Sequence, residues 1–351
     1  MSRHFVASPR AQFIAQFAVA ATILFTASAA SAQEAAKPAL PAPKPVPLMQ
    51  AEPLPHHQVR FLKGDRELTR FHFDPTDRRS FLYPIIGPSG QSLIRMGHPH
   101  DPISHSHHNG VWISHHIVDG LNFWGDAGPK LGRITTKYVE QLDDTDASAS
   151  MTSLQNWTPD DGIGRPILSE RRRIEVRPLD GDDYLIIIDL ELTALEKDRT
   201  IEKTPFGVIG VRMRKSIGVN DGGGRVLNSE GAVNEKGIAG DGVNPVHWKP
   251  ARWCDYAGPV TATASEGITL FDHPLNPNHP TVFHVRNDGW MGACLTFDAP
   301  RTLELGKPLR LRYGLYVHDK LLDAPAIDAQ WQAFTKLPSL ATLVKPKPAK
   351  K

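Results

Sequence analysis

The chain has 351 residues, and its 40 lysines and arginines nearly balance 38 aspartates and glutamates, giving a net charge of +2 at pH 7. A chain this close to neutral has no electrostatic reason to bind nucleic acid or an anionic membrane, so neither is expected as a partner. Only two cysteines occur, which argues against a cysteine-based zinc site.

Residues 1–32 have the composition of a secretory signal peptide. Two arginines precede an apolar run from Phe13 to Phe25, and small residues end the segment at Ala32. The run is too short for a good membrane span. Cleavage after Ala32 would remove two basic residues and no acidic residue, leaving 38 of each sign. We therefore expect an exported protein, periplasmic or secreted, without stable insertion into a membrane.

The next segment, residues 33–55, is rich in proline and alanine and lacks periodicity. Such a composition is typical of an extended, mobile spacer. Residues 56–337 have a length that permits one large β domain, and we expect a single domain there. The Lys/Pro-rich residues 338–351 are predicted to form a solvated tail.

Strand signals dominate the expected domain. Residues 183–195 begin as an apolar run and then alternate with acidic residues, and residues 308–319 alternate apolar residues with arginines. Hairpin turns are predicted at DGDD, residues 180–183, and at GPSG, residues 87–90. These signals predict an all-β chain that folds as a large antiparallel β-sandwich.

Helical spacing is convincing only near the C-terminus, in the segment APAIDAQWQAFTKL. There Ile327, Trp331 and Phe334 would share one face, so a short helix is expected over about residues 325–336. The two cysteines, Cys254 and Cys294, lie in strand-like apolar contexts. They could form a disulfide in an oxidising compartment or stay free and buried.

Seven of the sixteen histidines fall between positions 98 and 116. If the segment is extended, His105 and His107 project from one face and His108 from the other. Two imidazoles on one face can ligate a divalent metal, with a third ligand from elsewhere. Imidazole also titrates near neutral pH, so the same rings can act as general acid and base. Both interpretations stay open at this point.

Three further segments carry the polar side chains expected of a site wall. The loop LNSEG holds Glu230, whose carboxylate need not serve packing there. The segment ARWCDYAG brings together residue types that hold sugars by stacking and hydrogen bonding, although a core tryptophan beside a surface ion pair is equally common. The segment FDHPLNPNHPTVFHVRNDG adds hydrogen-bonding side chains among prolines. The candidates in these last two segments are Arg252, Trp253, Asp255, His273, Asn276, His279, His284 and Arg286.

These motifs, in this order over roughly residues 71–319, resemble the PmoA-like family of exported bacterial proteins. That family is catalogued as methane oxygenase PmoA or as a family of unknown function. His105, His107, His108 and Trp112 match its opening motif, whereas Ser104 and Asn109 stand where the family usually has Asp and Arg. The family is similar in architecture to galactose-mutarotase-like β-sandwiches, so the resemblance implies acid/base chemistry on sugars by His and Glu residues.

We therefore predict a periplasmic carbohydrate-active enzyme, a lyase, hydrolase or epimerase that binds a carbohydrate or glycoside. Two alternatives stay open, a metal-dependent oxygenase with a divalent metal at His105 and His107, and a non-catalytic glycan-binding protein. We also expect Glu230 and His273 to share one pocket with the clustered histidines. The predicted catalytic residues are His105, His107, His108, Glu230 and His273, and the predicted substrate-binding residues are Trp112, Arg252, Trp253, Asp255, Asn276, His279, His284 and Arg286.

Overall fold

A computed structural model of the chain describes residues 43–238 and 242–339. The predicted signal peptide, the predicted spacer up to residue 42 and the predicted tail from residue 340 onward lie outside the described residues. From Val46 onward the chain forms one compact unit. Within the described part of the chain, no helix is both long and apolar enough to cross a membrane.

Antiparallel strands make up most of this unit, as the sequence predicts. In chain order they are β1 (Met49–Leu54), β2 (Gln58–Lys63), β3 (Arg66–His72), β4 (Phe81–Ile85), β5 (Val111–His115), β6 (Gly132–Asp144), β7 (Ala149–Pro159), β8 (Leu168–Pro178), β9 (Tyr184–Ala194), β10 (Arg199–Ile201), β11 (Gly207–Arg212), β12 (Arg225–Asn228), β13 (Lys249–Ala251), β14 (Trp253–Pro259), β15 (Ser265–Asp272), β16 (Thr281–Arg286), β17 (Trp290–Cys294), β18 (Arg301–Leu303) and β19 (Leu309–Asp319).

Two large sheets share one hydrophobic core. The first has nine strands in the order β1-β2-β3-β4-β5-β11-β17-β16-β13, and the second has eight in the order β12-β14-β15-β19-β9-β8-β7-β6. Strands β10 and β18 form a separate small pair. Apolar residues from both large sheets, such as Phe61 and Ile188, belong to the same buried cluster. Alternation along the strands therefore buries one face of each sheet against the other.

The predicted C-terminal helix is confirmed. The helix α2 (Ala324–Thr335) begins after Asp323, whose side chain accepts a hydrogen bond from the backbone of Ala326. Ile327 and Phe334 are buried, and Trp331 packs beside them on the second sheet. Shorter helical turns occur at α1 (Val219–Gly222) and in a 3₁₀ turn at Lys215–Ile217.

The predicted spacer ends earlier than residue 55, because residues 49–54 form β1 and pair with β2. Met49 and Ala51 are buried while their neighbours alternate outward, which is a strand pattern that the surrounding prolines conceal. Pro53 is tolerated because β1 is the edge strand of its sheet.

The turn predicted at residues 87–90 forms, but no second strand follows it, so there is no hairpin. The backbone of Gly87 donates to the carbonyl of Gln91 over 2.8 Å, which closes the turn. The returning chain then makes isolated bridges rather than a strand, and it continues as a long connection to β5. This connection includes residues 97–110, which we call the histidine loop.

Candidate functional site

The outward face of the nine-stranded sheet carries a row of polar and aromatic side chains. Strands β5, β11, β17 and β16 lie side by side there. Val211 on β11 and Met291 on β17 point into the core. Successive side chains of a strand point to opposite faces, so the neighbours of these residues along each strand point to the outer face. Cross-strand pairs on that outer face align Trp112 with Gly210 and Arg212 with Trp290.

A glycine makes room for the aromatic rings on this face. A Cβ atom on Gly210 would lie 2.7 Å from the ring of Trp290 and 2.9 Å from that of Trp112. The two indoles lie 5.4 Å apart between ring centroids, in a cluster separate from the main core. The cluster gives the outer face a rigid aromatic floor.

Between this floor and the histidine loop lies a cavity of about 530 Å³, a size typical of small-molecule sites. We call it the histidine cavity. Its aromatic walls are Trp124, Phe206 and Trp290. Trp112, which was predicted to bind substrate, is buried and does not line the cavity. Its imidazoles come from the loop, from the end of β5 and from β16, namely His98, His105, His107, His108, His116 and His284.

The histidine loop is a turn and not a strand, which corrects the predicted arrangement of its side chains. Because residues 102–107 turn, His105, His107 and His108 all line the same cavity. Their ring centroids lie between 4.5 and 5.9 Å apart. His108 therefore does not face away from His107.

His105 is held by a carboxylate of the histidine loop itself. The Nδ1 atom of His105 lies 3.0 Å from Oδ2 of Asp101, which also accepts a hydrogen bond from the Ser104 hydroxyl. Hydrogen bonds from Ser104 and then from His105 lower the pKa of Asp101 to about 2, so it is ionised at neutral pH. A carboxylate at Nδ1 fixes the tautomer and leaves Nε2 as the nitrogen that can accept a proton.

Other imidazoles of the cavity are neutral at pH 7. Burial, with a contribution from the charge of Arg79, lowers the pKa of His107 to about 4. Burial and Arg212 lower that of His108 to about 2, and burial and His247 lower that of His284 to about 4. Neutral rings of this kind can donate or accept hydrogen bonds without bringing a charge to the cavity.

Arg79, which is buried, anchors the histidine loop. Its Nη1 atom donates to the carbonyl of His107 over 3.1 Å and to Oδ1 of Asn109 over 2.8 Å. Its Nη2 atom donates to Oδ1 of Asp126 over 2.7 Å. Arg79 thus ties His107 and Asn109 of the loop to Asp126.

Three polar side chains that bond to one another line one wall of the cavity. Arg212 donates from Nη1 to Oδ1 of Asp288 over 2.8 Å, and Nε2 of His98 lies 2.9 Å from Oδ2 of the same carboxylate. Burial alone would raise the pKa of Asp288, but the hydrogen bond and charge of Arg212 outweigh it and hold the pKa well below its usual range. Arg286 lies at the rim and pairs with Glu235 at 2.7 Å.

Glu230 does not line this cavity, so the expectation that it shares a pocket with the histidines is wrong. It lies 3.4 Å from Arg252, which also pairs with Asp328 of α2 at 3.0 Å. Trp253 is fully buried and donates its indole N–H to the same Asp328 carboxylate over 3.1 Å. This segment is therefore a core tryptophan beside an ion pair and not part of the histidine cavity. Arg252 and Trp253 attach the C-terminal helix to the second sheet.

Asp255 is buried in the second sheet, away from any sugar-binding surface. It accepts a hydrogen bond from Thr269 and pairs with His318 at 2.9 Å. Cys254 on β14 and Cys294 on β17 are free and buried and do not form a disulfide.

His273 lines a different cavity, together with Asn276, so it does not join the histidine cluster either. The loop around it is organised by Asp272, which accepts from Asn276 over 2.7 Å and pairs with His279 at 2.7 Å. These side chains are used in shaping the turn after β15. Of the candidates predicted in the third segment, only His284 and Arg286 line the histidine cavity, and the unpredicted Asp288 of the same segment lines it as well.

The metal-binding alternative finds no matching donor set. Among the described residues, no group of three or more His, Cys, Asp or Glu side chains is disposed to hold a metal ion. The candidate ligands His105 and His107 have ring centroids 5.9 Å apart, and the bond between Nδ1 of His105 and Asp101 leaves Nε2 of His105 free.

Several cavity residues were not predicted as part of a site. Arg212 and Trp124 sit in strand and turn segments with no motif, so only the strand order brings them here. Asp288 follows Arg286 in the turn between β16 and β17, where an NDG sequence signals a turn but not a site. Asp101 did have a signal, because it stands four residues before His105 among the clustered histidines.

Comparisons with known proteins place the chain in a family without adding an activity. No curated protein matches the sequence. A solved polysaccharide lyase matches at 9% identity with a TM-score of 0.28, over 72% of this chain and 32% of the lyase, so the chain spans about a third of that protein. The resemblance to PmoA-like proteins stays a prediction. Residues 58–332 match the profile of a family of unknown function, DUF6807, and the chain belongs to that family.

Proposed function

We propose that the histidine cavity binds a sugar and that His105, held by Asp101, transfers a proton to or from it. The protein would then be a carbohydrate-active enzyme of the lyase, hydrolase or epimerase type. The observation that carries this proposal is the Asp101–His105 pair at a cavity with aromatic walls. A carboxylate behind an imidazole stabilises the imidazolium that forms when Nε2 takes a proton.

The rest of the cavity suits a sugar. Aromatic faces such as those of Trp124 and Phe206 can stack on the C–H faces of a pyranose ring. The neutral rings of His107 and His284 can exchange hydrogen bonds with hydroxyls, which both donate and accept. Export to the periplasm, expected from residues 1–32, would bring the enzyme to extracellular glycans.

The test is replacement of His105 by Ala, assayed on a panel of glycosides that includes 3-keto-glycosides. Loss of the proton-transfer group should lower turnover by about 10²–10⁴-fold while the melting temperature stays nearly unchanged. His100→Ala is the matched control, because His100 lies in the same loop, is bonded to Asp221 at 2.8 Å and does not line the cavity.

Full turnover in His105→Ala would refute the proposed role, and so would an equal loss in His100→Ala. Elemental analysis of both proteins, purified without a histidine tag, addresses the oxygenase alternative. Stoichiometric metal that falls together with activity in His105→Ala would favour that alternative over proton transfer.

A further inference from the structure

Arg212 is a buried cation whose hydrogen-bonding capacity is largely unused. Its side chain is 0% exposed, and its only hydrogen-bond acceptor among the described residues is Asp288, which Nη1 reaches over 2.8 Å. The Nε and Nη2 atoms have no partner within the described part of the chain. Buried guanidinium donors are almost always paired, so this pair of atoms points to a missing partner.

The two unused atoms form one edge of the planar guanidinium. Nε and Nη2 present two nearly parallel N–H groups, the arrangement that binds both oxygens of a carboxylate at once. The neighbouring Asp288 does not bond to either atom: its Oδ1 accepts from Nη1 of Arg212, and its Oδ2 lies 2.9 Å from Nε2 of His98.

Other groups on the cavity floor are also donors without acceptors. The indole nitrogen of Trp290, which can only donate, is buried and has no partner among the described residues. Arg286 adds a second cation at the rim, where its side chain is 52% exposed. Arg286 is paired with Glu235 and Nη1 of Arg212 with Asp288. Among the described residues, the floor therefore lacks acceptor atoms for Nε and Nη2 of Arg212 and for the indole nitrogen of Trp290.

We propose that the ligand of the histidine cavity is a uronic acid, a sugar whose carboxylate binds the Nε–Nη2 edge of Arg212. This inference rests on the proposed function, since it names the class of sugar that the same cavity takes. A planar carboxylate matches the two N–H groups of the edge, whereas a neutral hydroxymethyl group leaves one of them without an acceptor.

Binding to the native protein tests this without any substitution. Calorimetry would compare glucuronate and galacturonate with glucose, galactose and the methyl ester of glucuronate, which keeps the shape but not the charge. We expect each uronate to bind at least about tenfold more tightly than its neutral counterpart, a ratio in the range of one charge-assisted bidentate contact.

The possible outcomes separate the two proposals. Equal binding of uronates, esters and neutral sugars would overturn the uronate assignment and leave the sugar site standing. No binding by any of these sugars would overturn both. Equally tight binding of glucose 6-phosphate would overturn the carboxylate in favour of a general anion site.

Substitutions locate the contact. Arg212→Lys keeps a charge beside Asp288 but removes the two-donor edge, so it should reduce the preference for uronate over neutral sugar about tenfold. Arg286→Gln, at an exposed position that tolerates change, should reduce the preference less. Arg310→Gln is its matched control, because Arg310 is 56% exposed and pairs with Glu191 at 2.8 Å outside the cavity.

An Arg212→Lys protein that melts normally and keeps the full preference would contradict the assignment. If that variant does not fold, the Arg286→Gln and Arg310→Gln pair decides the case together with the ligand series. An unchanged preference in Arg286→Gln, or an equal loss in Arg310→Gln, would then count against recognition by the cavity arginines.

Discussion

The carboxylate of Asp101 controls the chemistry expected of His105 more than any other single contact. Replacing Asp101 by Asn keeps the side-chain shape but removes the charge that stabilises a protonated ring. We expect turnover to fall by about 10–10³-fold, because no carboxylate charge then stabilises the ring when it takes a proton. The measurement is kcat on the best substrate across pH 5–9.

Ser104→Ala is the control for Asp101→Asn, because the Ser104 hydroxyl also bonds to Asp101 but does not replace its charge. It should change turnover much less. If Asp101→Asn keeps its turnover, or if Ser104→Ala loses as much, the charge of Asp101 does not support proton transfer by His105.

At the scale of elements, Arg79 determines whether the histidine loop is ordered. Its side chain is 1% exposed and pairs with Asp126 at 2.7 Å, besides bonding to His107 and Asn109 of the loop. Arg79→Met should destabilise the fold by about 3 kcal/mol, the lower end of the range for breaking a buried ion pair. Hydrogen exchange across residues 97–110 should rise in parallel.

The neighbouring Arg78 offers a matched control. It pairs with Asp160 at 3.0 Å, but both side chains are partly exposed, so Arg78→Met should cost about 1 kcal/mol or less. Urea denaturation measures both variants. Similar losses in the two proteins, or unchanged exchange in the loop of Arg79→Met, would show that Arg79 does not order the loop.

The elements that sequence predicted well are those where periodicity and burial agree. The segments that became β9 and β19 alternate clearly, and both lie in the middle of the second sheet. The helix α2 presents a single apolar face. Sequence failed where side-chain alternation was broken, in β1 among its prolines and in the histidine loop. His105 and His107 were correctly grouped, but by a turn and not by a strand.

At the scale of the whole molecule, sheet order decides which predicted residues meet. His284 and Arg286 reach the histidine loop because β16 and β17 lie next to β11 and β5. Glu230 follows β12 and His273 follows β15, and both strands belong to the other sheet. A single sequence shows which segments are strands but not which sheet each one joins, so the long-range grouping could not be derived from it.

The buried imidazoles should also make the whole fold sensitive to acid. Burial, with Arg79 or His247 contributing, lowers the pKa of His107 and His284 to about 4, whereas an unfolded histidine titrates near 6.5. The unfolded chain therefore binds protons first as the pH falls. The contribution of these histidines to the free energy of unfolding is full above about pH 6.5 and is lost as the pH falls from about 6.5 to 4.

His318 opposes this trend. Burial would lower its pKa, but the charge and hydrogen bond of Asp255 raise it, so its contribution is present at low pH and is lost as the pH rises through that raised value. The lowered groups outnumber it, because burial and Arg312 also lower the pKa of His273 to about 4. We therefore expect the melting temperature to fall by several degrees from pH 7 to pH 4.5. His284→Gln should flatten this slope and His100→Gln should not. A melting temperature that stays constant over this range would mean that the folded and unfolded chains bind equal numbers of protons, so that folding does not lower the pKa values of these histidines.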